Sequence, residues 1–148
     1  MKYLRGNITD AKHGIICNQL SCKLSDETGL YTEIIKKYPI VKQELSALQS
    51  KIPIEKRLGR CQIVEVVEKT LYIANLFSKF SSIDELDYGA LSVAILRLKE
   101  WHLQNCHPNF PVFIPYNLGN KTTPIEWKIV EEIIENHMAD ALIIKQKG

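Results

Sequence analysis

No part of this sequence stays apolar for long. Its uninterrupted apolar runs reach about four to six residues, far short of the roughly 20 that a bilayer-spanning helix needs. The opening MKYLRGNITDAKHG carries charge but no apolar stretch, so it is not expected to act as a secretory signal. Neither sign of charge dominates: 19 basic against 17 acidic residues leave a net charge of +2. That balance makes no electrostatic case for nucleic acid or an anionic membrane as partner. Cysteine is sparse, and Cys17, Cys22, Cys61 and Cys106 form no CxxC pair and no regular spacing. A disulfide framework is therefore excluded, each thiol is expected as a small buried hydrophobe, and the protein reads as cytoplasmic. The four histidines, His13, His102, His107 and His137, lack metal-ligand spacing, so neither metal nor cofactor is expected. Cys106-His107 reads as a loop pair, and no Ser/His/Asp arrangement can be placed. Repeats and low-complexity segments are absent.

What the sequence does have is an ordinary globular balance, 45% hydrophobic and 24% charged over 148 residues. That length predicts a single domain over 1–148, with its own core and no need of a staple. Lys2 to Arg5 reads as an edge strand closed by Gly6-Asn7, and GIICN (Gly14 to Asn18) as a strand buried on both faces. Leu30, Ile34, Ile35 and Tyr38 fall at helical spacing up to Pro39, and Val41, Leu45 and Leu48 suggest a second short helix. QIVEVV and LYIANL flank Glu68-Lys69-Thr70 as a hairpin, with Phe77 to Ser82 a loop. A stripe from Leu91 to Trp101 predicts a helix of about four turns. A buried strand (Pro111 to Tyr116), a helix marked by Ile125 to Ile134, and a last strand (Asp140 to Lys145) complete the chain. Strands alternating with helices predict an α/β fold around a mixed sheet.

In such sheets ligands sit beyond the carboxyl ends of the strands. Two loops qualify, Gln19 to Gly29 and Asn117 to Thr123. In the second, Thr123-Pro124-Ile125-Glu126 satisfies the capping-box pattern, with Thr123 as N-cap and Glu126 at N3. A helix start facing a loop with Gly119 and Lys121 suits a phosphate. The same residues also read as a well-capped helix behind a turn.

Six segments, in order, resemble those of macro domains, specifically the small stand-alone microbial and phage type. Gly6-Asn7-Ile8-Thr9 is similar to the family's Gly-Asp-Ile-Thr turn, and Gly14 to Gln19 to its buried second strand. LSCKLSDETGLYTEIIKKYP (Leu20 to Pro39) resembles the glycine-rich loop and the helix that follows. LYIANLF, DYGAL, and FIPYNLG with Trp127 after it fall in the family's order and spacing. The resemblance implies a three-layer α/β/α fold with a central mixed β-sheet, and a cleft for ADP-ribose or a relative.

Departures from the family pattern shape the expected site. Ser21 stands where the family has an asparagine that holds the distal ribose. Leu24 and Glu27 replace glycines, and only Gly29 remains, so backbone approach to a diphosphate is restricted. Thr123 is the nearest match to a catalytic aspartate found in some members. By resemblance, Asn7 accepts from the adenine amino group and Ile8 packs on the base; Asn7 also reads as a turn asparagine bonding its own backbone. Asn18 and Gln19 end a strand at the cleft mouth. Phe77 and Tyr116 (with Phe80) are the aromatic candidates for the base or ribose. Asn117, Leu118, Gly119, Asn120, Lys121, Thr122 and Thr123 make up the second candidate loop, in which Gly119 to Thr123 is expected to meet the diphosphate, with Lys121 and Thr122 the best candidates. The expectation is a small-molecule binding module for ADP-ribose or an NAD-derived nucleotide, cyclic or base-conjugated, acting as a reader or sequestering protein. The family's roles place it in ADP-ribose metabolism, phage–host conflict or NAD-derived signalling. The alternatives are an ADP-ribose-1″-phosphate phosphatase or ADP-ribosyl hydrolase, and an interaction protein that has lost the pocket.

Overall fold

A computed structural model describes residues 1–23, 29–119 and 123–147. Among these residues the chain forms six strands and four α-helices. The strands are β1 (Lys2–Gly6), β2 (Gly14–Ser21), β3 (Cys61–Val67), β4 (Leu71–Lys79), β5 (Val112–Pro115) and β6 (Leu142–Gln146). The helices are α1 (Leu30–Lys37), α2 (Ile40–Lys51), α3 (Tyr88–Asn105) and α4 (Pro124–His137). They build one mixed sheet of order β1-β6-β5-β2-β4-β3, in which only the β3–β4 pair is antiparallel.

Each face of the sheet carries a helical layer, because the central strands are apolar on both sides. Along β2, Ile15 and Cys17 join the core under α3 and α4, whereas Ile16 and Leu20 join the core under α1 and α2. The alternation is the period-two signature of a pleated strand. Leu91, Ala94, Ile95 and Leu98 of α3 meet Trp127, Val130 and Ile134 of α4 on the first face. Tyr31 and Ile34 of α1, with Val41 and Leu45 of α2, cover the second. No helix among the described residues is long and apolar enough to cross a membrane.

Two boundaries differ from the sequence reading. The loop expected at Phe77 to Ser82 begins only after Lys79. Pairing with β2 carries β4 on to Ser21↔Lys79 across a bulge, and Phe77 and Ser78 are fully buried there. The polar pair Ser78-Lys79 breaks the apolar run that marks the strand in sequence, while the ladder continues regardless. Strand β2, expected to end at Asn18, likewise runs on to Ser21. Helix α3 begins at Tyr88, where Asp87 caps it by accepting from the Ala90 N–H.

Candidate functional site

Parallel pairing delivers the carboxyl ends of β1, β5 and β6 to one side of the sheet, where Gly6, Pro115 and Gln146 border a cleft of about 150 Å³. Asn7 and Ile8 close it from the turn after β1, Gly29, Leu30 and Glu33 from the start of α1, Tyr116 from the turn after β5, and Ile144 from β6.

Local chemistry fixes each wall. Asn7 is the N-cap of a short 3₁₀ turn (Ile8–Asp10), and its Oδ1 accepts from the Thr9 amide at 3.2 Å and the Thr9 hydroxyl at 2.9 Å. Both lone pairs are thereby used, so the acceptor role expected toward adenine is taken by the turn, and Asn7 offers a ligand only its Nδ2 donors. The Lys37 ammonium donates to the Thr9 carbonyl at 2.7 Å and ties this turn to the end of α1. Ile8 is buried beneath it.

Helix α1 opens differently from α4. Gly29 precedes it at φ 62°, ψ −135°, a conformation close to the region reserved for glycine, and supplies no side-chain cap. Gly29 and Leu30 bring the N-terminal, positive end of the α1 dipole to the wall of the cleft, which favours an anionic group there. Glu33, one turn along, is an exposed carboxylate on the same wall that can accept from an amine or hydroxyl.

Tyr116 is the braced wall. Its ring meets Trp127 edge-on at 4.9 Å and Tyr3 at 6.3 Å, and the Lys145 ammonium lies 4.6 Å from its centroid. The Tyr3 hydroxyl accepts from the Trp127 indole at 3.1 Å and donates to Glu131. Burial and the Glu131 carboxylate push the Tyr3 phenol up to about 12, so it stays protonated. Beyond Tyr116 the chain passes through two consecutive left-handed residues, Asn117 (φ 58°) and Leu118 (φ 54°). The left-handed setting carries a backbone cost of about 1–3 kcal/mol for a residue like leucine.

Several expected site residues serve the core instead. Phe77 is wholly buried on the α1–α2 side, and no ring face is left for a ligand. Leu118 is buried under α3 and α4. Asn18 is buried too, as the head of an amide chain crossing three strands. Its Nδ2 donates to Asn75 Oδ1 at 3.1 Å, Asn75 Nδ2 to Gln62 Oε1 at 3.0 Å, and Gln62 Nε2 to the Glu44 carbonyl at 3.0 Å. Replacing Asn75 by Leu is expected to cost about 2–3 kcal/mol in chemical denaturation, because it strands a buried donor and a partly buried acceptor. Gln19 is half-buried with its amide on the Leu20 carbonyl at 2.8 Å, and Ser21 is half-buried at the β2 terminus. Gly119 ends the 3₁₀ turn after β5. Thr123 is exposed and forms the expected capping box, accepting from the Glu126 amide at 3.1 Å while Glu126 accepts from the Thr123 amide at 3.2 Å. Glu27, Asn120, Lys121 and Thr122 lie outside the described residues.

Of the expected residues the structure brings together Asn7, Ile8, Gly29 and Tyr116 in the cleft. Sequence reasoning missed Gly6, Leu30, Glu33, Pro115, Ile144 and Gln146. The last two are alternate positions of one strand, a period-two pair that becomes legible once β6 is known to lie between β1 and β5.

Chemistry at the cysteines is suppressed. Burial drives the Cys17 thiol well up and the Cys61 thiol to about 12, so neither supplies a thiolate near neutral pH. Among the described residues no three His, Cys, Asp or Glu side chains gather as a metal set.

By sequence alone, no protein-family model and no curated protein gives a match. Comparison of folds does. A macrodomain protein from Streptomyces coelicolor superposes with a TM-score of 0.76 at 17% identity, covering 99% of each chain. The macrodomain of Thermus aquaticus DarG gives 0.75 at 13% identity, over 99% of this chain and 97% of that one. Thermosipho africanus DarTG, solved in complex with ADP-ribose, gives 0.73 at 12% identity over 99% of this chain and 42% of that one. Mixed six-stranded sheet, helices on both faces and these superpositions agree: the chain has the α/β fold of a macrodomain.

Proposed function

We propose that the cleft binds ADP-ribose or an ADP-ribose-derived nucleotide and holds it as a reader or sequestering module without turning it over. The observation that carries this reading is the pairing of an aromatic wall, Tyr116, with the N-terminal end of α1 at Gly29, on the carboxyl edge of the sheet. An aromatic surface suits a base or ribose, and the positive end of a helix dipole suits a diphosphate. The fold is shared with a protein solved with ADP-ribose in place. Glu33 takes the acceptor role that Asn7 has given to its own turn. Lys121 and Thr122 enter as diphosphate contacts on the strength of the sequence.

The non-catalytic part of the reading rests on the sequence, where Ser21, Leu24 and Glu27 depart from the residues that hold the distal ribose in macro domains. Glu126 is engaged in the capping box, and Glu33 is the described carboxylate lining the cleft. Titration calorimetry with ADP-ribose, its 1″-phosphate and cyclic forms is expected to give saturable heat with at least one, and mass spectrometry to recover that ligand intact. Tyr116→Ala should weaken binding about tenfold, or ~1.4 kcal/mol. Absence of heat with all of these ligands would favour an interaction protein with no working pocket, and release of phosphate or free ADP-ribose would favour a hydrolase.

A further inference from the structure

At the other edge of the sheet from the cleft, a hollow of about 330 Å³ lies between the 54–60 segment, the start of β3 and α3, and Lys56, Arg60 and Arg97 line it. Leu58 and the Cys61 thiol complete the wall, and among the described residues no carboxylate lines it. The ion pair among the described residues joins the Met1 amino group to Glu135, and involves none of these three cations.

Two of the cations are held in place by backbone. Arg97 donates one Nη1–H to the Gly59 carbonyl at 3.2 Å, and Arg60 donates Nε–H to the Lys56 carbonyl at 3.2 Å. The turn that carries Arg60 is itself fixed: the Gly59 amide donates to the Phe77 carbonyl at 2.7 Å, and the Phe77 amide to the Arg60 carbonyl at 3.0 Å. Gly59, at φ +85°, lets the turn lie close over α3, where a Cβ on it would stand 3.7 Å from the Val93 side chain. Each guanidinium spends one of its five N–H groups on the protein, and the others are available in a planar fork that matches an oxyanion. Cys61 does not supply the counter-charge, since burial keeps its thiol protonated even beside Arg97. Three like charges around one hollow repel one another, and a multiply charged anion relieves that repulsion while the braced guanidiniums lose little freedom on binding it.

We propose that Lys56, Arg60 and Arg97 form a phosphoryl-binding site separate from the cleft, taking a phosphate group either free or as part of a nucleic-acid backbone. The test uses the isotope-labelled chain, whose amide NMR signals report position. It is titrated with pyrophosphate, and separately with a short mixed-sequence single-stranded oligonucleotide. The expected result is saturable movement of the Leu58, Arg60, Cys61 and Arg97 amides. Arg97→Gln and Arg60→Gln should each weaken it at least tenfold, and Lys128→Gln on α4 should leave it unchanged. Binding of the oligonucleotide at least tenfold more tightly, with steep salt dependence, assigns the backbone as source; equal or weaker binding assigns free phosphate. Movement confined to Gly6, Ile8 and Leu30, no saturation by about 10 mM, or insensitivity to both arginine variants overturns the proposal. None of these outcomes depends on whether the cleft takes ADP-ribose.

Discussion

Gly14→Ala is expected to destabilise the protein by about 4 kcal/mol, combining backbone strain with overpacking, and to lower its melting temperature by roughly 10 °C. Gly14 opens β2 at φ +130°, a backbone setting that L residues rarely adopt. A methyl group there would stand 2.7 Å from the Pro111 carbonyl oxygen and 2.8 Å from the Phe113 ring. The first contact is backbone, so it cannot be relieved by a rotamer change. Gly14 also donates to the Thr70 carbonyl at 2.9 Å, and Ile15 to the Pro111 carbonyl at 2.9 Å, so any shift loosens both neighbours of the central strand. Differential scanning calorimetry reads the effect directly. A melting point within about 2 °C of wild type, less than a ~1 kcal/mol change would give, would show that the β2 entrance has slack that the packing does not display.

Gly29→Val is expected to reduce affinity for ADP-ribose about 100-fold, equivalent to ~2.7 kcal/mol, while the protein still folds. A β-branched residue at φ 62° is a conformational outlier, and relaxation would turn the start of α1 away from the cleft. The loss would fall on the helix end proposed to meet the diphosphate, so adenosine, which lacks it, should lose much less. Calorimetry with both ligands separates the two effects. Equal losses for adenosine and ADP-ribose would mean that Gly29 shapes the pocket as a whole and that α1 makes no particular contact with phosphate.

How far such features can be read from sequence depends on whether the signal is local. Gly14 to Asn18 declares a two-faced strand because nothing in it is charged, and Thr123-Pro124-Ile125-Glu126 declares a helix start because capping is settled within four residues. Asn7 is harder. The same side chain suits a turn cap or a ligand contact, and the competition is decided by Thr9, whose amide and hydroxyl both reach the Oδ1. Phe77 and Asn18 belong to the core rather than the cleft for a non-local reason. Each sits near the carboxyl end of its strand, but which face it presents depends on register with a neighbouring strand. The site residues that carry no sequence signal, Ile144 and Gln146, depend on a pairing between elements at the two ends of the chain. The hollow at Lys56, Arg60 and Arg97 is likewise invisible in composition, because a net charge of +2 averages away a local cluster.

The pairing of β1 with β6 has a bearing on how the protein is made. Gly6 and Asn7 emerge from the ribosome first among the cleft residues, and Ile144 and Gln146 last. Closing so long a loop is entropically slow, and the edge strand β1 has no partner until β6 arrives. During synthesis the β2–β4–β3 part of the sheet can assemble around its own helices, while β1 stays an unpaired, aggregation-exposed segment. The proposed nucleotide capture therefore requires β6 to be in place, and a bound ligand would act on its docking, holding β1 and β6 together by mass action.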